Sequence, residues 1–192
     1  PTGDCDPGFY CKGGVPNRNP SEVKDSVTDV VIGDICPAGR YCGPGTSEPS
    51  KCASGTFSAD TGLETQSECL ACTSGHYCAK AGLTAPEGKC EAGYYCTLLA
   101  DVASPADSSG YGGLCPAGHY CPEGTGVPKA CVAGKFSGRL GLKEESQCEA
   151  CTAGMYCGTS GLAVPSGECD EGHVCSSGSA SKTGGAGGMC PV

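Results

Sequence analysis

This chain of 192 residues has little of what builds a hydrophobic core. It contains no tryptophan, and valine, leucine, isoleucine and phenylalanine together number only 25 residues. That share lies below the roughly 20% under which a chain of sizeable net charge usually stays disordered. A fold held together by a large apolar core is therefore excluded, and another source of stability is required.

Basic segments and long apolar runs are also missing. Lys and Arg number 12 against 21 Asp and Glu, which gives a net charge of −9, and no basic run occurs. The longest aliphatic run is the three-residue stretch 30–32, far short of the ~20 residues that a membrane-spanning helix needs. We therefore expect no nucleic-acid partner and no direct membrane insertion.

Cysteine and glycine are what the chain has in excess, with 19 and 33 residues. Cysteine near one residue in ten is typical of disulfide scaffolds, which restrict the unfolded chain in place of burying a large core. Such bonds persist in oxidising compartments. The composition therefore predicts a secreted or cell-surface protein.

An internal repeat organises the cysteines. Eight of them recur 79 residues further along without a gap: Cys36, Cys42, Cys52, Cys69, Cys72, Cys78, Cys90 and Cys96 match Cys115, Cys121, Cys131, Cys148, Cys151, Cys157, Cys169 and Cys175. This period predicts repeat 1 at 1–85, which is partial at its N-terminus, repeat 2 at 86–164 and a partial repeat 3 at 165–192.

One connection varies in length between repeats, and we interpret it as a surface loop. It runs over 12–35, 97–114 and 176–189. Within the first of these, Val23, Val27, Val30 and Val31 have helical spacing behind a Ser21 that could cap a helix. Their β-branched side chains favour a strand equally, so the pattern leaves helix and strand open.

A smaller motif, Cys-x-x-Gly-x-aromatic, begins each sub-module of the repeat, as in Cys36–Tyr41, Cys52–Phe57 and Cys72–Tyr77. We expect the glycine to take a positive φ in a tight turn, and the ring to lie over backbone and disulfide sulfur as a miniature core. Because glycine and proline interrupt the chain so often, the sequence predicts tandem modules of short β-hairpins and coil in an extended rod.

Outside the variable loops, nearly the whole chain resembles a known family. Cys131–Ser137, followed by Gly141, Leu142, Ser146, Cys148, Cys151 and Gly154–Cys157, resembles the ephrin-receptor-like cysteine-rich repeat, and its first part is similar to the opening of tumour-necrosis-factor-receptor repeats. Such repeats occur in receptor ectodomains and in large extracellular or fibre-forming proteins. The resemblance implies a disulfide-laddered spacer and carries no catalytic residues.

The resemblance also implies part of the disulfide pairing, namely Cys52 with Cys69 and Cys131 with Cys148. Two patterns stay open for the other cysteines, because Cys72 could pair across the short gap with Cys78 or in an interleaved way with Cys90, with Cys78 then bonded to Cys96. The cysteines left open in this way are Cys5, Cys11, Cys36, Cys42, Cys72, Cys78, Cys90, Cys96, Cys115, Cys121, Cys151, Cys157, Cys169 and Cys175.

Nineteen cysteines cannot all pair internally, and Cys190 is the odd one by position. Its counterparts Cys36 and Cys115 are each followed by another cysteine six residues later. We expect Cys190 to form a disulfide with a cysteine outside these 192 residues. We also expect the polypeptide to continue with further repeats or to self-associate.

Candidate chemistry is sparse. The pairs Cys69/Cys72 and Cys148/Cys151 have redox spacing but lack the βαβ setting that activates such thiols. His76, His119 and His173 occupy a variable motif position and lie whole sub-modules apart, so we expect no metal, no cofactor and no catalytic residue. Serine and threonine beside proline, as in 46–50 and 104–109, are candidate acceptors of O-linked sugar.

These observations support two functions. The first is a structural extracellular protein in which sub-modules stack into a stalk or filament. The alternative is a ligand-binding or adhesion receptor ectodomain that presents a protein-binding patch on its variable loops. A large exposed apolar patch would favour the second function.

Overall fold

The computed structural model describes residues 4–13 and 15–184. These ranges contain nine disulfides, seventeen short strands and three single-turn 3₁₀ helices, at Gln66–Glu68, Asp107–Ser109 and Glu145–Gln147, and no α-helix. The predicted class, a small disulfide-rich fold of short hairpins and coil, is confirmed. No helix in the described part of the chain is long and apolar enough to cross a membrane.

The strands are two to five residues long. In chain order they are β1 Phe9–Cys11, β2 Val23–Lys24, β3 Val31–Ile35, β4 Arg40–Tyr41, β5 Ser50–Lys51, β6 Thr56–Phe57, β7 Leu70–Ala71, β8 His76–Tyr77, β9 Gly88–Lys89, β10 Tyr94–Cys96, β11 Gly112–Leu114, β12 His119–Tyr120, β13 Lys129–Ala130, β14 Lys135–Phe136, β15 Glu149–Ala150, β16 Met155–Tyr156 and β17 Gly167–Glu168. Their shortness follows from the turn glycines and prolines that bracket nearly every one of them.

The chain divides into two compact units. The first comprises Pro1–Gly88 with Leu98–Val102, and the second comprises Lys89–Thr97 with Ala103–Val192. The first contains the antiparallel sheet β1-β3-β2 and the antiparallel pairs β4-β5 and β6-β7. The second contains the antiparallel pairs β10-β11, β12-β13, β14-β15 and β16-β17. The repeat boundaries at 86 and 165 describe the sequence period and stay a prediction.

The interior is built mainly of cysteine. In the described ranges the buried aliphatic side chains are Val15, Leu63, Ala100 and Leu142, and sixteen cysteines are buried beside them. Two small clusters repeat 79 residues apart. In the first, Leu63 packs against the Cys52–Cys69 bridge with the half-buried ring of Tyr41 upon it. In the second, Leu142 packs against Cys131–Cys148 with Tyr120. For these two tyrosines the predicted miniature core is confirmed.

The segment 21–31 is a hairpin, and the helical alternative is wrong. Val23 lies in β2 and Val31 begins β3, and these strands pair antiparallel with a bulge. Between them Asp25 makes a tight turn, in which Asp29 has a φ of 54°. The local hydrogen bonds of Asp25 compete with helix formation, and the four valines prefer extended backbone.

The variable connections are more than surface loops. Pro20 in the first and Pro105 in the second are fully buried, as is Ala100. Parts of these segments pair with the sub-modules that precede them, because β3 bonds to β1 and β11 bonds to β10. The prediction of a surface loop is therefore wrong for Pro20, Ala100 and Pro105, and it holds for exposed residues such as Val27 and Leu98.

Candidate functional site: docking contacts between disulfide sub-modules

Each disulfide closes one short stretch of chain, which we call a sub-module. The structure joins Cys52 to Cys69 and Cys131 to Cys148, the two pairs that the family resemblance implies. The other described cysteines all bond six residues apart rather than interleaved: Cys5–Cys11, Cys36–Cys42, Cys72–Cys78, Cys90–Cys96, Cys115–Cys121, Cys151–Cys157 and Cys169–Cys175. Cys190 lies outside the described residues.

The glycine of the Cys-x-x-Gly motif sets the backbone of each sub-module. Gly39 and Gly118, which are 79 residues apart, have φ values of 74° and 76°, a conformation that glycine adopts without strain. The turn exposes the glycine N–H and C=O to the following sub-module. The predicted positive φ is therefore confirmed, and the turn also has a binding role that the sequence motif does not reveal.

Two backbone hydrogen bonds dock one sub-module on the next. Around Gly93, the Cys115 N–H donates to the Gly93 carbonyl at 2.8 Å, and the Gly93 N–H donates to the Cys121 carbonyl at 2.8 Å. The same two bonds link Gly8 with Cys36 and Cys42, Gly55 with Cys72 and Cys78, Gly134 with Cys151 and Cys157, and Gly154 with Cys169 and Cys175. The described residues thus make this contact at these five glycines, with donor–acceptor distances of 2.8 to 3.1 Å.

The longer sub-modules dock through a related set of bonds. The Cys131 N–H donates to the Gly118 carbonyl at 2.8 Å, while the Gly118 N–H donates to the Ser137 carbonyl at 2.7 Å. The Cys121 N–H donates to the Leu142 carbonyl at 2.8 Å. Because Leu142 is also the centre of the local apolar cluster, this contact combines hydrogen bonding with burial.

The same glycines also pack against a turn further along the chain. A methyl group added to Gly39 would lie 2.5 Å from the carbonyl oxygen of Gly82, and one on Gly134 would lie 2.5 Å from that of Gly178. Real side chains do not approach backbone this closely, so these positions admit only glycine. The docking contact is therefore specified by the absence of a side chain.

The residues with candidate chemistry do not converge. Cys69 and Cys72 belong to different disulfides, as do Cys148 and Cys151, so neither Cys-x-x-Cys pair forms a dithiol site. In the described part of the chain, no three His, Cys, Asp or Glu side chains come together as metal ligands.

The three histidines lie in separate local environments. His76 Nδ1 lies 3.4 Å from Thr73 Oγ1, and His119 Nδ1 lies 3.0 Å from the Ala117 carbonyl. His173 Nδ1 is buried without a hydrogen-bond partner among the described residues.

The hairpin of the first variable loop offers a local test. Asp25 Oδ1 accepts hydrogen bonds from the Thr28 N–H, the Thr28 hydroxyl and the Val27 N–H, and these bonds hold the pKa of Asp25 below its usual 3.8. A depressed pKa means that the stabilisation is fully present above 3.8 and is lost as the pH falls through the lower folded value.

Asp25→Ala is expected to accelerate hydrogen exchange of the Asp25 and Asp29 amides several-fold at neutral pH, because the turn loses its acceptor. Asp25→Asn, which keeps an acceptor, should change exchange less. Amide exchange followed by NMR checks both variants, and wild-type exchange should approach that of Asp25→Ala only below pH 3.8. Equal protection in wild type and Asp25→Ala at neutral pH would show that the carboxylate does not hold the turn.

Comparison with protein-family models found no match, and comparison with curated proteins found none either.

Proposed function

We propose that this chain is a structural element of an extracellular protein, built of ephrin-receptor-like cysteine-rich repeats and serving as a disulfide-laddered stalk or filament. The observation that carries the proposal is the docking contact that a motif glycine makes with the two cysteines of the following sub-module, at five places among the described residues. Repetition of one nearest-neighbour contact is how repeat proteins build extended structures from units that are too small to fold alone.

The disulfide pattern suits a mechanical role. Each bond closes six or 17 residues without overlapping another loop, so tension along the chain passes through the sulfur bridge and bypasses the residues inside the loop. Among the described residues, the segments between bridges are the parts that can extend under tension. Glycine contacts such as Gly39 against Gly82 then resist sliding of one sub-module along another, since backbone meets backbone there.

The disulfides also support an extracellular location, because nine such bonds are typical of proteins that fold in an oxidising compartment. In this proposal the partners are further repeats, in the same chain or in a neighbouring one. The division of both Cys-x-x-Cys pairs between separate disulfides supports a role other than redox catalysis.

Negative-stain electron microscopy of the native material tests the proposal. The expected result is thin filaments or stalks with a regular longitudinal period, because the docking contact repeats along the chain. Monodisperse compact particles would overturn the structural function and leave the receptor ectodomain as the better description.

A further inference from the structure

Two adjacent leucines are exposed in the second variable loop. Leu98 and Leu99 have 58% and 39% of their surface accessible, and Val102 follows with 45%. All three belong to the first compact unit. Single exposed apolar side chains are ordinary, but three within five residues concentrate exposed apolar surface in one short segment, and such surface is a candidate interaction site.

Leu99 also has an unfavourable backbone. Its φ is 67°, in the left-handed region where a branched side chain crowds the following carbonyl. The fold needs this backbone shape, because the Leu99 N–H donates to the Cys72 carbonyl at 3.2 Å and the Ala100 carbonyl accepts from the Cys78 N–H at 2.9 Å. The fold does not need leucine there.

The corresponding loop of the next repeat demonstrates this. Counted from the preceding cysteine, Ser177 and Gly178 occupy the places of Leu98 and Leu99. Gly178 has a φ of 84° and donates to the Cys151 carbonyl at 2.8 Å, while the Ser179 carbonyl accepts from the Cys157 N–H at 2.9 Å. The same contacts are made without strain and without exposed leucine, so these hydrogen bonds do not require the leucine pair.

We propose that Leu98 and Leu99 anchor a partner protein that carries an apolar pocket bordered by lysine or arginine. Two leucines and a valine bury far less than the ~1,200 Å² of a stable interface, so a flat contact between two copies of the loop would not hold. Insertion into a preformed pocket concentrates the binding energy on a few buried anchors. This role goes beyond that of a structural spacer and does not depend on it.

Charge favours a foreign partner over a second copy. Asp101 lies between Leu99 and Val102 in the sequence, residues 98–102 include no lysine or arginine, and the whole chain has a net charge of −9. Two copies of the loop would repel each other, whereas a pocket with a cationic rim would be attracted. The partner is therefore a basic-rimmed protein surface.

The test uses the full disulfide-bonded chain. A photo-crosslinking amino acid replaces Leu98 in one preparation and Leu140, which is 59% exposed, in a control preparation. The probe is intact extracellular material of the source organism, and the protein that crosslinks at position 98 but not at 140 is then purified. Its affinity is measured for the wild type, for the grafted variant Leu98→Ser/Leu99→Gly, and for Leu140→Ser.

The graft is expected to weaken binding about tenfold or more while Leu140→Ser leaves it unchanged, and wild-type affinity should fall as the salt concentration rises. The thermal midpoint of the graft should equal or exceed that of the wild type, so that weaker binding is not a folding defect. Equal crosslinking at both positions, no protein crosslinked specifically at position 98, or unchanged affinity of the grafted variant overturns the proposal. So does a crosslink at position 98 only to a second copy of this chain.

Discussion

Reduction of the disulfides is expected to unfold both compact units, whereas EDTA should leave them folded. In the chain-entropy model a 17-residue loop contributes about 3 kcal/mol and a six-residue loop about 2 kcal/mol. The nine loops do not overlap, so their contributions accumulate to the order of 20 kcal/mol. Typical domains have a net free energy of unfolding of only about 5–15 kcal/mol. The stabilisation lost on reduction is therefore larger than the whole stability of a typical domain.

Burial cannot compensate for that loss. Val15, Leu63, Ala100 and Leu142 are the buried aliphatic side chains of the described ranges, and burying a side chain of the valine or leucine size contributes about 1.5–3 kcal/mol. Most of the remaining interior is cysteine, which is held in place by its own bonds. The disulfides are therefore the core of this protein in the energetic as well as the spatial sense.

Circular dichroism and amide hydrogen exchange after incubation with a phosphine reductant, or with EDTA in a parallel sample, provide the measurement. Reduction should abolish exchange protection at the docking amides such as Gly93 and Cys115, and EDTA should not change it. Collapse with EDTA and persistence in the reductant would instead identify a metal-dependent scaffold.

The sequence predicted those features that depend on local chemistry. The glycine of the Cys-x-x-Gly-x-aromatic motif, as at Gly39 before Tyr41, predicted a tight turn with a positive φ. That turn depends on residues close in the sequence and was therefore predictable. The hairpin-and-coil class followed in the same way from the density of glycine and proline. The Cys-x-x-Gly-x-aromatic motif likewise placed Tyr41 beside a bridge.

Features that depend on distant residues could not be predicted. Spacing alone does not decide between Cys72–Cys78 and an interleaved partner, because the loop-closure entropies of the two pairings differ by only about 1 kcal/mol per bond and tertiary contacts decide between them. Leu63 has no motif that marks it as the centre of a cluster, and its role appears only where it meets Tyr41 and the Cys52–Cys69 bridge. The burial of Pro20 and Pro105 was likewise hidden, since proline in a variable segment normally indicates an exposed turn.

The docking contact itself could not be derived because backbone atoms make it. Every residue except proline has a backbone N–H and C=O like those of Gly93. The sequence shows only that position 93 has no side chain. Two separate features therefore require glycine at such a position: the positive φ of its own turn, and the close approach of another turn to its Cα. A pair of substitutions distinguishes them.

Gly118→Ala is expected to destabilise the second unit by about 3 kcal/mol, and Gly110→Ala by about 1 kcal/mol. The two glycines have nearly equal φ values of 76° and 78°, so the conformational penalty is shared. At Gly118 the added methyl would also collide with the Gly161 backbone, whose carbonyl carbon lies 2.6 Å from its position, whereas at Gly110 no described atom lies within 4 Å. The difference of about 2 kcal/mol is the overpacking penalty alone.

Denaturant unfolding with the disulfides intact measures both free energies, and an unchanged denaturant slope confirms that the unfolded states are comparable. Hydrogen exchange locates the destabilised region. The Gly161 N–H donates to the Cys131 carbonyl, and the Cys131 N–H donates to the Gly118 carbonyl. Gly118→Ala should increase exchange of both amides, and Gly110→Ala should leave them protected. Gly39→Ala should repeat the larger effect in the first unit, because its added methyl meets the Gly82 carbonyl at 2.5 Å. Equal destabilisation by Gly118→Ala and Gly110→Ala would mean that only the turn conformation requires glycine, and that the sub-modules are not held by close backbone packing.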